Sequence, residues 1–207
     1  MAISPNRDGV LVTEGADVDP RAVIGAGTRI WHLAQIREEA TLGRDCVVSR
    51  GAYVGPGVRI GDNVKLQNYA LVYEPAELGD GVFVGPAAVL TNDEYPRAVT
   101  PQGRLKSGDD WTAVGVRVGE GAAIGARAVC VAPVTIGRWA LVGAGAVVTR
   151  DVPDFGLVRG VPARRVGWVG RAGQPLLAKG DGRFVCPSSG AEYQEADGRL
   201  TEVAPPG

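Results

Sequence analysis

Cut every six residues from Val12, the chain reads VTEGAD, VDPRAV, IGAGTR, IWHLAQ, IREEAT and onward to LTNDEY, which begins at Leu90. All fourteen of these blocks open with Val, Ile or Leu, and thirteen carry Ala, Thr, Cys or Val at the fifth place. The exception is Glu94. The frame returns at Thr112 and holds for seven more blocks, each with Ala or Val at the fifth place. A period of six suits neither an amphipathic helix nor a simple alternating strand. It suits short parallel strands wound into a solenoid, three blocks to a coil. The first-place aliphatic then points inward and the small fifth residue fills the remaining space. Glycine clusters at the second place, where a tight corner is expected to need unusual backbone angles. The pattern predicts an all-β solenoid, a parallel β-helix of about seven coils over residues 12–153.

The bulk composition narrows the function classes. Lys plus Arg is 22 and Asp plus Glu is 23, which gives no electrostatic case for binding nucleic acid or an anionic membrane. The opening MAISPNRDGVLV lacks a basic stretch followed by an apolar run, so no signal peptide is expected. The longest apolar run, ALVGAGAVV, is too short to span a bilayer. Three scattered cysteines suit a reducing cytoplasm. Cys46 and Cys130 fall on inward places and read as core. Cys186, in CPSSG, resembles half a zinc knuckle, but no second Cys pair or His stands nearby, so no metal is expected.

If a coil is eighteen residues, residues eighteen apart lie about 4.8 Å above one another. His32, Arg50 and Asn68 then share one edge. Glu74 and Asn92 share another. Polar corner residues are usually just solvated, and a ladder of them can serve as hydrogen bonding between coils. Here they converge beside a long excursion, residues 96–111 (PRAVTPQGRLKSGDDW), and loops of this length tend to be functional or disordered. Pro96 and Trp111 at its ends favour anchoring.

RIWHLAQI at 29–36, KLQNYALVYE at 65–74, GVFVGPAAVLTNDEYPR at 81–97, GVPARRVGWV at 160–169 and RFVCPSSGAEYQEADGRL at 183–200 resemble the hexapeptide-repeat nucleotide-sugar N-acetyltransferases. The resemblance is strongest to those acting on a UDP-3-amino-glucuronate. Enzymes acting on dTDP-3-amino-hexoses share much of the middle. The resemblance implies a left-handed parallel β-helix, a homotrimer with active sites between subunits, and acetyl transfer from acetyl-CoA to a sugar amine. It puts Asn92 at the catalytic centre, with Asn68, Tyr73, Glu74 and Arg97 against the nucleotide sugar. His32 and Arg50 join these as substrate-binding candidates. It sets CoA along the later coils, which points to Ala126, Ala144 and Gly145, expected to stack on the Asn92 edge, and to Arg159, Arg164 and Arg165.

The chemistry favours an amine acceptor independently. The chain has one histidine, His32. A hydroxyl is a poor nucleophile and needs a general base. An α-amino group titrates near 7.7–8.0, so an amine of that kind is partly neutral at pH 7 and attacks a thioester unaided. O-acetylation with His32 as base stands as the alternative, and a non-catalytic scaffold as a third. Residues 1–11 are expected to lead in. Residues 154–178 are expected to pack on the last coils and help cover CoA, and residues 179–207 to form a small β-hairpin with a frayed end.

Overall fold

The computed structural model describes residues 3–6 and 9–203. The frayed end expected at 204–207 lies outside them, as does part of the 1–11 lead-in. Three parallel sheets form the faces of a triangular prism. The first face stacks Val10–Thr13, Arg29–Ile30, Val47–Val48, Lys65–Leu66, Phe83–Val84, Ala123–Ile124, Leu141–Val142 and Gly156–Arg159. The second runs from Asp17–Val18 to Val147–Val148, and the third from Val23–Ile24 to Val134–Ile136. Below the loop, partners in neighbouring coils are eighteen apart, as in Lys65 with Phe83 and Leu71 with Val89. The expected solenoid is present, with an eighth rung on the first face.

The interior follows the repeat. First-place Ile30, Leu66, Leu90 and Ile124 and fifth-place Ala34, Ala70, Ala88 and Ala128 are all buried. Full burial of each larger aliphatic contributes roughly 1.5–3 kcal/mol, so the prism is held by many equal layers rather than one centre. Thr28 is the one fully buried polar residue among the described residues, and both its needs are met. Its hydroxyl donates to Gly43 O at 3.0 Å and accepts from the Cys46 N–H at 3.0 Å. Cys46 and Cys130 are buried in this core.

The corner geometry corrects the expectation for glycine. The left-handed residue is the fourth of most blocks, with Arg21 and Pro75 among the exceptions: Gly15, Gly27, Gly51 and Gly81, but also Leu33, Glu39, Asn63 and Tyr69. In that conformation its N–H turns along the prism and bonds one coil down, as Gly51 N does to His32 O at 3.1 Å. The second-place glycines have ordinary backbone angles. They are required by close approach: a Cβ on Gly25 would stand 2.5 Å from the carbonyl carbon of Gly43 in the next coil.

Both ends of the first face are covered. Ile3–Asn6 pairs antiparallel with Val10–Thr13, and Arg164–Trp168 pairs antiparallel with Gly156–Arg159. Covering an edge removes a template for unwanted strand pairing. Beyond 168 the single hairpin expected is instead a four-stranded antiparallel sheet of Leu177–Gly180, Arg183–Val185, Glu192–Ala196 and Arg199–Glu202. A lone hairpin has too little apolar surface to stand by itself. This sheet supplies Cys186, Tyr193 and Leu200 to a second core shared with Phe155 and Trp168.

Glycine at the two corner places has opposite value. Gly25→Ala is expected to lower stability by about 1–3 kcal/mol through backbone crowding. Glu39→Gly, at φ 61° and exposed, is expected to be neutral or to raise stability by up to about 1 kcal/mol. Thermal unfolding of the two variants checks the pair, and equal losses would refute the assignment.

Candidate active site

Each coil turns at three edges. The first edge lies between the first and second faces, the second between the second and third. Third-place residues occupy the outermost positions. On the second edge the column includes Glu38, Glu74 and Asn92; on the first it includes Glu14, His32, Arg50, Asn68 and Pro86.

The expected stacking of Asn92 on Glu74 is present. Asn92 Nδ2 donates to Glu74 Oε1 at 3.1 Å. The other carboxylate oxygen, Oε2, is buried with no partner among the described residues. It sits against Gly55, one coil below, where any Cβ would collide with it. A desolvated, unpartnered carboxylate oxygen is costly, and a donor from a ligand relieves the cost. Tyr73 packs its ring 5.1 Å from Tyr53 beside this carboxylate. Burial, then the Glu74 charge, pushes the Tyr53 hydroxyl above the usual tyrosine range. No sequence motif singles out Gly55 or Tyr53, although eighteen-residue stacking places Gly55 directly under Tyr73.

At Asn92 the chain leaves the coil. Glu94 is exposed and never enters the core. The excursion folds on itself: Val99 bridges Leu105, and Arg104 holds Asp110 through two hydrogen bonds, one of 3.0 Å. That guanidinium, then the Ser107 N–H, holds the Asp110 carboxyl down at about 2. A cleft of about 370 Å³ opens beneath it, lined by Asp93, Arg97, Lys106 and Trp111 among others. Arg97 donates to Pro96 O at 2.8 Å and is exposed at this rim. No hydrogen bond joins it to Glu74 or Asn92 among the described residues.

The chain returns through Val114, whose N–H bonds to Asn92 O at 3.0 Å, and re-enters the third face at Val116–Val118. This corrects the register above the loop. Thr112–Arg117 matches the six-residue pattern but is not a complete side of the prism. Its first residues belong to the return. Val89 therefore pairs with Val129 and Phe83 with Ala123. The residue above Asn92 is Ala132, next to Val131, with Ala132 N donating to Thr91 Oγ1 at 3.0 Å. Ala126, Ala144 and Gly145 do not stack on the Asn92 edge. They continue the first edge, where Arg127 N bonds to Pro86 O and Gly145 N to Ala126 O.

The first edge brings the other candidates together. Tyr69 N bonds to Arg50 O and Ala87 N to Asn68 O, as stacking requires. Arg159 and Arg164 pair with each other in the last rung of this sheet, above Gly143. Arg165 is turned away: its guanidinium lies 4.1 Å over the Trp168 ring and 3.8 Å from Glu195, so the C-terminal sheet holds it. His32 is on the wrong edge to serve Asn92 in its own chain. It stands three coils below, about 14 Å along the axis, and a full face away. A base acts within about 3 Å.

Comparison with known proteins agrees with the six-residue repeat and the fold. The family model "Bacterial transferase hexapeptide (six repeats)" matches residues 57–92, and "Hexapeptide repeat of succinyl-transferase" matches 41–68 and 115–150. The dTDP-3-amino-3,6-dideoxy-alpha-D-galactopyranose 3-N-acetyltransferase of Aneurinibacillus thermoaerophilus is 45% identical over 86 residues, 42% of this chain and 44% of that one. The serine acetyltransferase of Escherichia coli K12 is 42% identical over 88 residues, 42% of this chain and 31% of that one. The chain thus spans less than half the length of these two relatives. The UDP-N-acetylglucosamine acyltransferase of Bacteroides fragilis superposes with a TM-score of 0.63 at 18% identity, covering 78% of this chain and 62% of that one. The shared architecture is the left-handed parallel β-helix.

The register above the loop is directly testable. Val89→Cys with Val129→Cys places two thiols on paired rungs, within the Cα separation a disulfide needs. Mild oxidation is expected to join them. Val89→Cys with Ala123→Cys is expected to stay reduced, and peptide mapping reads both.

Proposed function

We propose that this chain, a hexapeptide-repeat β-helix protein, is an acetyl-CoA-dependent N-acetyltransferase acting on the 3-amino group of a nucleotide-linked amino sugar. The observation that carries the reading is the Glu74–Asn92 pair, set where the repeat breaks, with one buried carboxylate oxygen unpartnered. The proposed partner for that oxygen is a sugar amine. Its N–H donates to Glu74 Oε2, which turns the nitrogen lone pair toward the thioester. Asn92 Nδ2 is committed to Glu74, which leaves its Oδ1 to accept a second amine hydrogen. The amine attacks the thioester carbonyl, a tetrahedral oxyanion forms, and the C–S bond breaks. The departing thiolate takes up the proton that the nitrogen loses.

The acceptor sugar follows from likeness. The Aneurinibacillus relative acts on a dTDP-linked 3-amino sugar, as its name states. The motifs at 81–97 and 160–169 favour a UDP-linked 3-amino-glucuronate, and we retain that as the finer proposal. CoA is proposed to run along the upper first edge, its phosphates meeting Arg127, Arg159 and Arg164. Because first and second edges of one chain stand a face apart, we propose a homotrimer in which the first edge of one subunit faces Asn92 of its neighbour. The second face supports this. Its outward residues Tyr53, Leu71, Val89, Val129 and Val147 are apolar and only half-buried.

A panel of UDP-, dTDP- and GDP-linked 3-amino sugars with acetyl-CoA, read by free-thiol release, tests the reaction. Turnover with a 3-amino sugar is expected, and silence across the panel would refute the reading. Asn92→Ala is expected to lower kcat about 100-fold or more with little change in KM, since it acts on positioning at the reacting centre.

O-acetylation with His32 as base makes the opposite prediction for that residue. Under N-acetylation, His32→Asn is expected to keep kcat within about threefold. A loss of about 100-fold or more is what removal of a general base produces.

A further inference from the structure

Carboxylates elsewhere on the prism show what Glu74 lacks. On the third edge, Asp62, Asp80 and Asp154 each fold down over the glycine of the coil below, Gly43, Gly61 and Gly137. A Cβ on any of those glycines would collide with the Oδ1 atom above it. Each Oδ1 also accepts the backbone N–H of the residue that follows the glycine. The donors are Arg44 at 2.7 Å, Asp62 at 2.8 Å and Arg138 at 2.7 Å. The oxygen that crowds the glycine is thus the one the next N–H satisfies. The Arg44 N–H, then the Arg44 side chain, holds the Asp62 carboxyl below the usual carboxylate range.

Glu74 Oε2 takes the same position over Gly55. The residue after Gly55 is Pro56, which has no N–H to give. Glu38 also stands one coil above a proline, Pro20, but there both oxygens accept from Arg37, at 2.9 and 2.7 Å. In the Glu74 coil the place of Arg37 is held by Tyr73, and Oε2 stays unpartnered among the described residues. The turn itself does not demand proline. Other corners carry Arg44, Asp62 or Asn68 at that place, and Pro56 is only half-buried.

We propose that Pro56 is a positioning residue: by withholding the N–H that Asp62, Asp80 and Asp154 each receive, it keeps Glu74 Oε2 open for the acceptor amine. An oxygen already bonded to the backbone has less to offer an incoming donor, and a buried one without a partner gains most from it. Gly55 makes room for the oxygen, and Pro56 leaves it unsatisfied. The assignment rests on the N-acetyltransferase reading for what fills the vacancy, but the vacancy itself is tested without substrate.

Pro56→Ala supplies the missing N–H. Its effect on Tm is read in the wild-type chain and in Glu74→Ala. Loss of proline rigidity acts on the unfolded chain and is the same in both backgrounds. The change in Tm is therefore expected to be more favourable in the wild-type chain, by about 2–4 °C, because only there does the new N–H meet Oε2. Equal changes in the two backgrounds would overturn the proposal. On the amino-sugar panel, Pro56→Ala is expected to lower kcat about tenfold, with KM within about twofold and acetyl-CoA affinity unchanged. That is the pattern of a misdirected amine and not of a damaged fold. An unchanged kcat in a variant that shows the Tm coupling would also overturn it. Tm coupling in a chain silent on the panel would uphold Pro56 as the residue that opens Oε2 and sink the amino-sugar reading. Turnover with no coupling would keep the reaction and remove Pro56 from it.

Discussion

Everything in this molecule depends on one coil bonding to the next. Each two-residue strand is too short to satisfy its own backbone, so its N–H and C=O groups are completed only by the coils above and below. That condition holds only if every coil returns to the same place. The prism interior is then narrow, with room for one aliphatic and one small residue per side. Most corners turn left-handed at the fourth residue, and where glycine holds the second place the next backbone lies against it. The close packing of layers leaves no room inside for chemistry.

Polar chemistry is consequently confined to the outside of the prism, and the two edges differ in character. The second edge concentrates a carboxylate, two tyrosines and an amide where the chain departs from the coil. The first edge carries exposed aromatics, arginines with no carboxylate partner among the described residues, and one acid, Glu14, at its lowest corner. The two are about a face apart within one chain, which is why His32 and Asn92 cannot share a reacting atom there. In the proposed homotrimer a second subunit brings unlike edges together, and the second face, apolar from Tyr53 upward, offers a surface for one.

Most of the architecture could be read from six-residue spacing. Ile30, Leu66 and Ala70 are where the repeat puts them, and the ladders His32–Arg50–Asn68 and Glu74–Asn92 follow from eighteen-residue stacking. What misled was coincidence of pattern. Thr112–Arg117 has the right residue types, yet Thr112 to Gly115 cross back from the loop. Counting that block as a side moved Ala126, Ala144 and Gly145 to the wrong edge. The C-terminal sheet was half-visible, because RFV and AEYQ alternate but LAKG carries no strand signal of its own. Its place in the sheet comes from the partner strand and from the core around Tyr193 and Trp168.

The sequence by itself determined the solenoid, because a period of six is a local property repeated until no other fold satisfies it. It also marked Asn92, because a break in so regular a pattern is visible without coordinates. Only the tertiary structure decided which edge each upper residue joins. An insertion changes the chain length between coils without changing the pattern on either side, so register across it is set by hydrogen bonds such as Val89 with Val129. Only the structure, too, left Glu74 Oε2 buried without a partner among the described residues, since desolvation is a property of the space around an atom and not of its place in the chain.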